Sequence, residues 1–173
     1  MKVVLVFVST LNGKITRGGD PEVKHWSSEG DKEHYARVWR DSRLVVMGSN
    51  TWKQNIITPS SSRLIIVMTH EPEKFTGQEM PGQLEFSSMS PAELVSDNAK
   101  KGADLMTVVG GPLIATSFLK DSLIHEIWLT IEPRLFGTGL NLIHPEELDV
   151  KLHLIDFKQV NEEGTLITRY RVI

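Results

Sequence analysis

Leu105–Lys120 reads LMTVVGGPLIATSFLK, and two structural regimes meet inside it. The apolar, β-branched run Leu105–Val109 has the composition of a strand buried on both faces. Gly110 and Gly111 follow, and then Pro112, whose fixed φ suits the first position of a helix. Beyond it, Pro112–Lys120 pairs Leu113 with Ser117 and Ile114 with Phe118 at helical spacing. A strand that passes through glycines into a helix is the joint of an α/β fold. Ligands in such sheets gather at the carboxyl ends of the strands.

The same joint recurs upstream. Leu44–Met47 is apolar, and Gly48-Ser49-Asn50-Thr51-Trp52 closes it and opens a short helix. Free backbone N–H groups at such a start can meet a phosphate. Taken by itself, that segment is better read as a plain turn capped by Ser or Asn; two such joints in one small domain say more. Val3–Val8, Leu64–Met68 and Ile124–Ile131 add further buried strands. Asp31–Arg40 carries Tyr35, Val38 and Trp39 at helical spacing. Pro91–Lys101 carries Leu94, Val95 and Ala99, with Ser90 as N-cap. His153–Val160 and Thr165–Val172 alternate around Asn161–Gly164, a hairpin signal. The reading is one three-layer α/β domain over residues 1–173, with a mainly parallel central sheet and a C-terminal antiparallel hairpin. An uncovered hairpin edge invites pairing, so a homodimer through it is expected.

Composition narrows the function. The 173 residues carry a net charge of −3, which argues against a broad grip on nucleic acid. No cysteine is present, so thiolate catalysis, disulfides and Cys-ligated metals are excluded. The six histidines show no metal-ligand spacing, and no metal site is expected. No apolar run approaches the roughly 18 residues of a membrane span. Met1–Thr10 lacks a cleavage motif, and a cytoplasmic protein is expected. The sequence has neither a G-x-S-x-G elbow nor a phosphate-binding G-x-x-x-x-G-K-[ST] loop.

Three further segments can carry chemistry or merely turn the chain. Ser9-Thr10-Leu11-Asn12-Gly13-Lys14-Ile15 is a polar turn after the first strand. In Trp26-Ser27-Ser28-Glu29-Gly30-Asp31 the acid opens a helix. It serves either as a cap or first-turn acid, or as a carboxylate facing a pocket, and the residues alone leave both open. Leu135-Phe136-Gly137-Thr138-Gly139-Leu140 reads as a structural loop.

Taken in order, these segments resemble the dihydrofolate reductase superfamily. Within it they look most like the reductase domain of the riboflavin-biosynthesis deaminase-reductase (the RibD C-terminal domain) and its stand-alone relatives. Ser9–Ile15 resembles the S-x-D-G-K-I turn, and Arg43–Trp52 is similar to the M-G-R-x-T-W segment. Val108–Phe118 resembles the Gly-Gly segment before a cofactor-binding helix. Leu123–Ile143 resembles L-x-D-E followed by P-x-x-x-G-x-G.

The resemblance implies an NADPH-dependent reductase of a small pyrimidine- or pterin-type substrate. It implies that Gly48, Ser49, Asn50 and Thr51 hold the pyrophosphate, and that Thr69 and His70 lie near the adenosine ribose. It implies a cis Gly110-Gly111 turn beside the nicotinamide, lined by Leu113 and Ile114. Val8, Asn12, Trp26, Asp31 and Arg63 would meet the substrate. Asp31, five residues after Trp26, would be the catalytic acid, and Arg63 would hold a carboxylate or phosphate. Asn12 replaces the usual acid of the first turn, and His125 replaces the first acid of the D-E pair. Ser49 replaces an arginine, which weakens the case for 2′-phosphate recognition. The zinc-deaminase signature is absent. Three readings stand: a ribosylamino-pyrimidine phosphate reductase, a dihydrofolate or other pterin reductase, and a non-catalytic nucleotide-binding module.

Overall fold

The computed structural model describes residues 1–55 and 57–173. Its strands are β1 (Lys2–Thr10), β2 (Leu44–Gly48), β3 (Leu64–Met68), β4 (Leu84–Ser87), β5 (Leu105–Val108), β6 (Glu126–Glu132), β7 (Leu152–Gln159) and β8 (Leu166–Val172). Its α-helices are α1 (Glu29–Asp41), α2 (Ser49–Gln54), α3 (Pro91–Lys100) and α4 (Pro112–Lys120). The strands form one sheet in the order β4-β3-β2-β5-β1-β6-β8-β7. The first six all run parallel. β8 is antiparallel to β6, and β7 returns antiparallel to β8. This is the dihydrofolate-reductase-like α/β arrangement read from the sequence.

Alternation along the central strands separates two cores. Val3 and Leu5 of β1 pack with Leu94 of α3 and with Ala115, Phe118 and Leu119 of α4. Val4 and Val6 point the other way, against Val38 of α1. Both faces are therefore covered, which is why these strands read as continuous apolar runs. Phe118 is wholly buried; removing such a ring from water contributes about 2–3 kcal/mol.

The structure departs from the sequence reading in several places. β4 was not expected. Leu84 is its only fully buried residue, so no apolar run marks it, and pairing with the free edge of β3 makes it a strand. α1 begins at Glu29, before Asp31, because Ser28 is the N-cap: its Oγ accepts the Asp31 N–H at 3.3 Å. Tyr35 does not join the core with Val38; it is 41% exposed. Gly48, not Ser49 or Asn50, is the N-cap residue of α2. Ile124 and His125 precede β6, which runs on to Glu132. His125 instead clamps β1, its N–H donating to Val3 O at 2.9 Å and its Nδ1 accepting the Val3 N–H at 3.1 Å. Ser90 caps α3 as expected, with Glu93 completing the reciprocal pair. β7 forms the open edge, and all eight of its residues are exposed.

The loop after β6 closes on the turn after β1. Ile15 N–H donates to Leu140 O, and Leu142 N–H to Gly13 O, each at 2.9 Å. Gly139 lies beneath this clasp with φ +133°, and a methyl group there would stand 2.0 Å from Thr16 O. No side chain can occupy that space without parting the two loops. Gly13 has φ +76° but open space around it. Gly139→Ala is expected to lower unfolding free energy by about 2 kcal/mol or more. Gly13→Ala should cost about 1 kcal/mol. Denaturant unfolding of both variants checks the order; equal losses would show that the clasp is not tight.

Candidate active site

Because β1–β6 run parallel, every segment that leaves a strand's carboxyl end emerges on one edge of the sheet. Asn12, Gly48, Thr69 and Gly110 all belong to such segments. Gly110-Gly111 is a cis peptide. Gly48 N–H donates to Gly110 O at 2.9 Å, joining the two glycine joints directly. A methyl at Gly48 would stand 2.9 Å from Ile114 Cγ1, and one at Gly111 would stand 3.3 Å from Thr51 Oγ1. At Gly110 the φ is +125°, and the nearest atoms to such a methyl would be the Phe7 ring at 3.5 Å. Bare backbone from two strand ends is thus gathered in one place, with Thr51, Ile114 and Phe7 as its side-chain border. Leu113 stands beside it, 58% exposed. Ser49 is half-buried and Asn50 exposed. Thr69 N–H is taken by Ser87 O, and Thr69 Oγ1 accepts Glu71 N–H at 3.2 Å; His70 is exposed.

On the other side of β1 lies the acid. Val8 is in register with Thr130 of β6, and Asp31, the third residue of α1, sits against Thr130 and Ser27. Asp31 is only 5% exposed. Burial raises its pKa above the ordinary 3.8; the Thr130 and Ser27 hydroxyls oppose the rise, Glu132 adds to it, and Lys32 opposes it. Ser27 Oγ lies near the carboxyl without closing a full hydrogen bond. Trp26 is buried and meets Phe136 edge-on, with ring centroids 5.3 Å apart. Its Nε1 has no partner among the described residues. Such buried donors ordinarily find water or a ligand.

Asp31, Tyr35 and Trp39 are spaced four apart and share one face of α1. Tyr35 and Trp39 stack with centroids 6.1 Å apart. The Arg63 guanidinium lies 4.9 Å over the Trp39 ring and donates to Trp39 O. Burial pushes the Tyr35 hydroxyl up to about 12, Asp31 adds to the rise and Arg63 opposes it. The result is a line from a buried acid, past two stacked rings, to a guanidinium.

Of the residues expected to meet substrate, Val8, Trp26, Asp31 and Arg63 border this line or its head. Asn12 has other work: its Oδ1 accepts Phe136 N–H at 3.2 Å and its Nδ2 donates to Phe136 O at 2.8 Å. It fastens the first turn to the loop carrying Trp26's ring partner. Phe7, Tyr35, Trp39, Thr130 and Glu132 were not singled out from the sequence. Phe7 was legible as the last large side chain of the β1 run; the others depended on which faces of α1 and β6 meet. A separate hollow of about 420 Å³ is lined by Trp52, Lys53, Asn55, Ile57, Lys74, Phe75 and Gln78. It takes in none of the glycine joints and not Asp31. Among the described residues no cluster of three or more His, Asp or Glu could hold a metal, and no helix is long and apolar enough to cross a membrane.

The RibD C-terminal domain family matches residues 53–166. An uncharacterized protein of Bacillus subtilis strain 168, YwjB, is 25% identical over 93% of this chain and 93% of its own. A Thermotoga maritima diaminohydroxyphosphoribosylaminopyrimidine deaminase/5-amino-6-(5-phosphoribosylamino)uracil reductase superposes with a TM-score of 0.78 at 17% identity, over 99% of this chain and 56% of that one. A dihydrofolate reductase of Enterococcus faecalis, solved with NADP(H), superposes with a TM-score of 0.71 at 16% identity, over 99% and 96% of the two chains.

The raised affinity of Asp31 for its proton has a consequence for stability. The folded state binds this proton more tightly than the unfolded state does. Stability therefore falls as pH rises from the ordinary Asp value through the raised folded one. Asp31→Asn has no such group. It is expected to be more stable than the parent at pH 7, with the advantage shrinking toward about pH 4. Urea unfolding across that range measures it; an advantage independent of pH would contradict the assignment.

Proposed function

The chain belongs to the RibD C-terminal domain family, and from that premise we propose that it is an NADPH-dependent reductase of a phosphorylated ribosylamino-pyrimidine. The observation that carries this reading is the pairing of a buried acid with a bare-backbone cradle, one on each side of the β1 end. Gly48, Gly110 and Gly111 offer the close backbone approach that a flat ring and a diphosphate need. Thr51, Phe7, Leu113 and Ile114 would border the nicotinamide, and Thr69 and His70 the adenosine ribose. When bound, the reduced cofactor supplies a hydride.

The chain supplies position and a proton. Asp31 would pair with the amino-pyrimidine edge of the substrate. It would give its proton to the nitrogen of a C=N bond as the carbon accepts the hydride, so the product is the saturated amine. Tyr35 and Trp39 would flank the sugar-derived chain. Trp39 lies eight residues beyond Asp31, about 12 Å along the helix, and there Arg63 would take the phosphate with the donors its Trp39 contact leaves free. That spacing favours a ring, a short polyol chain and a terminal anion. A pterin reading is favoured by two features, Thr51-Trp52 and the Trp26–Asp31 spacing, and enters as the alternative in the assay.

The test is NADPH oxidation against a ribosylamino-pyrimidine phosphate and against dihydrofolate, with Asp31→Asn beside the parent. The expected result is turnover of the pyrimidine. Asp31→Asn should lose about 10²- to 10⁴-fold in kcat while still binding NADPH. Unchanged turnover in the variant would reject the acid's role. NADPH binding with no turnover of either substrate would favour a non-catalytic nucleotide-binding module.

A further inference from the structure

Glu132 is the second buried acid of the site, 2% exposed at the carboxyl end of β6. A carboxylate in such a place is costly unless its oxygens are bonded. Here both are. Oε1 accepts the Ser28 N–H at 2.7 Å, and Oε2 accepts the Thr165 hydroxyl at 2.7 Å. Ser28 is the N-cap of α1, so Glu132 grips the start of the helix that carries Asp31. Thr165 lies in the turn between β7 and β8 and is wholly buried. Thr165 is itself braced by Asn161, whose Oδ1 accepts the Thr165 N–H and whose Nδ2 donates to its hydroxyl, each at 2.8 Å. Packing reinforces the grip: a methyl at Gly30 would stand 2.6 Å from Val160 Cγ2 at the hairpin's other shoulder.

Glu132 and Thr130 are two apart on β6 and so share a face of the strand. Thr130 is the residue beside the Asp31 carboxyl. The Asp31 carboxyl and Glu132 therefore lie toward the same face of β6, and both are buried. The groups around Asp31 are few: Ser27 from the preceding loop, Lys32 and Tyr35 from α1, and Thr130 and Glu132 from β6. Glu132 is the one among them that brings negative charge from another element.

We infer that Glu132 is a positioning residue for Asp31: its hydrogen bonds to the Ser28 N–H and the Thr165 hydroxyl fix the start of α1, and with it where that acid stands. This rests on Asp31 being the acid of the proposed reaction; burial does most to strengthen that acid's hold on its proton, and Glu132 adds to it. Like charges in a confined space favour the protonated form of one of them. A raised hold on the proton suits an acid that must donate one.

The experiment measures Asp31 directly, without substrate. Carboxyl-carbon NMR of the full chain labelled at aspartate, with the Asp31 signal assigned by its loss in Asp31→Asn, gives the Asp31 titration midpoint. Glu132→Gln keeps the shape and an oxygen for Ser28 but removes the charge. The double variant Glu132→Met/Thr165→Val removes the charge and its hydroxyl partner together, which protects the test against misfolding of the single variant. The Asp31 midpoint is expected to move to lower pH in either variant. Where turnover is measurable, the fall of kcat on the alkaline side should move the same way. A merely structural Glu132 would change stability and leave the midpoint in place, and an unmoved or raised midpoint overturns the inference. If the midpoint moves but no variant and no parent turns over substrate, the reductase reading fails while the coupling of the two acids stands.

Discussion

Six parallel strands set the terms for everything else in this protein. Parallel pairing sends each strand's carboxyl end to the same edge, and each return to the opposite edge passes through a helix or loop that covers a face of the sheet. The register then fixes which ends are neighbours. β5 stops at Val108, level with Leu5, while β1 and β6 run on together to Thr10 and Glu132. That step leaves Gly110 beside Phe7 and leaves Thr130 across β1 from it. Without the step, the glycine backbone would be buried in a ladder and the acid would face a wall.

The site is built from groups that a stability argument alone would not choose. A carboxyl buried at Asp31, a second at Glu132 and an indole N–H without a partner at Trp26 each carry a desolvation cost. The fold offsets part of this locally, through the α1 N-terminus, the Thr130 and Thr165 hydroxyls and the hairpin that packs on Gly30. The C-terminal hairpin is thus more than an appended edge: it supplies one of the two hydrogen bonds that hold Glu132 in place. Costs concentrated where three elements converge are the ordinary mark of a site shaped for chemistry.

The strand-Gly-helix joints were legible in the sequence because each combines an apolar run, a residue without a side chain and a helix start within a dozen positions. The parallel class followed from runs without alternation, and the hairpin from runs with it. β4 was not legible, since four residues with one buried side chain leave no pattern. Asp31 stood out by its distance from Trp26, yet its neighbours did not. Tyr35 shares the helical spacing of Val38 and Trp39 yet stays part-exposed, stacked on Trp39, against which Arg63 packs. Asn12 also fastens the first turn to the Phe136 loop, a role its sequence position did not reveal. Glu132 sits at the end of an apolar run, where an acid reads as the first solvent-facing residue; only the arrival of Ser28 and Thr165 buries it. Single-residue roles of this kind depend on which elements come together across long sequence separations.

The placement proposed for the nicotinamide ring is against the Gly110 backbone, with Phe7 beside it and a substrate held by Asp31 within reach. Nuclear Overhauser contacts from the nicotinamide C4 proton of bound NADPH test it most directly. Contacts to the Phe7 ring and the Gly110 α-protons are expected. Contacts instead to Trp52 and Phe75, in the hollow beyond α2, would contradict it.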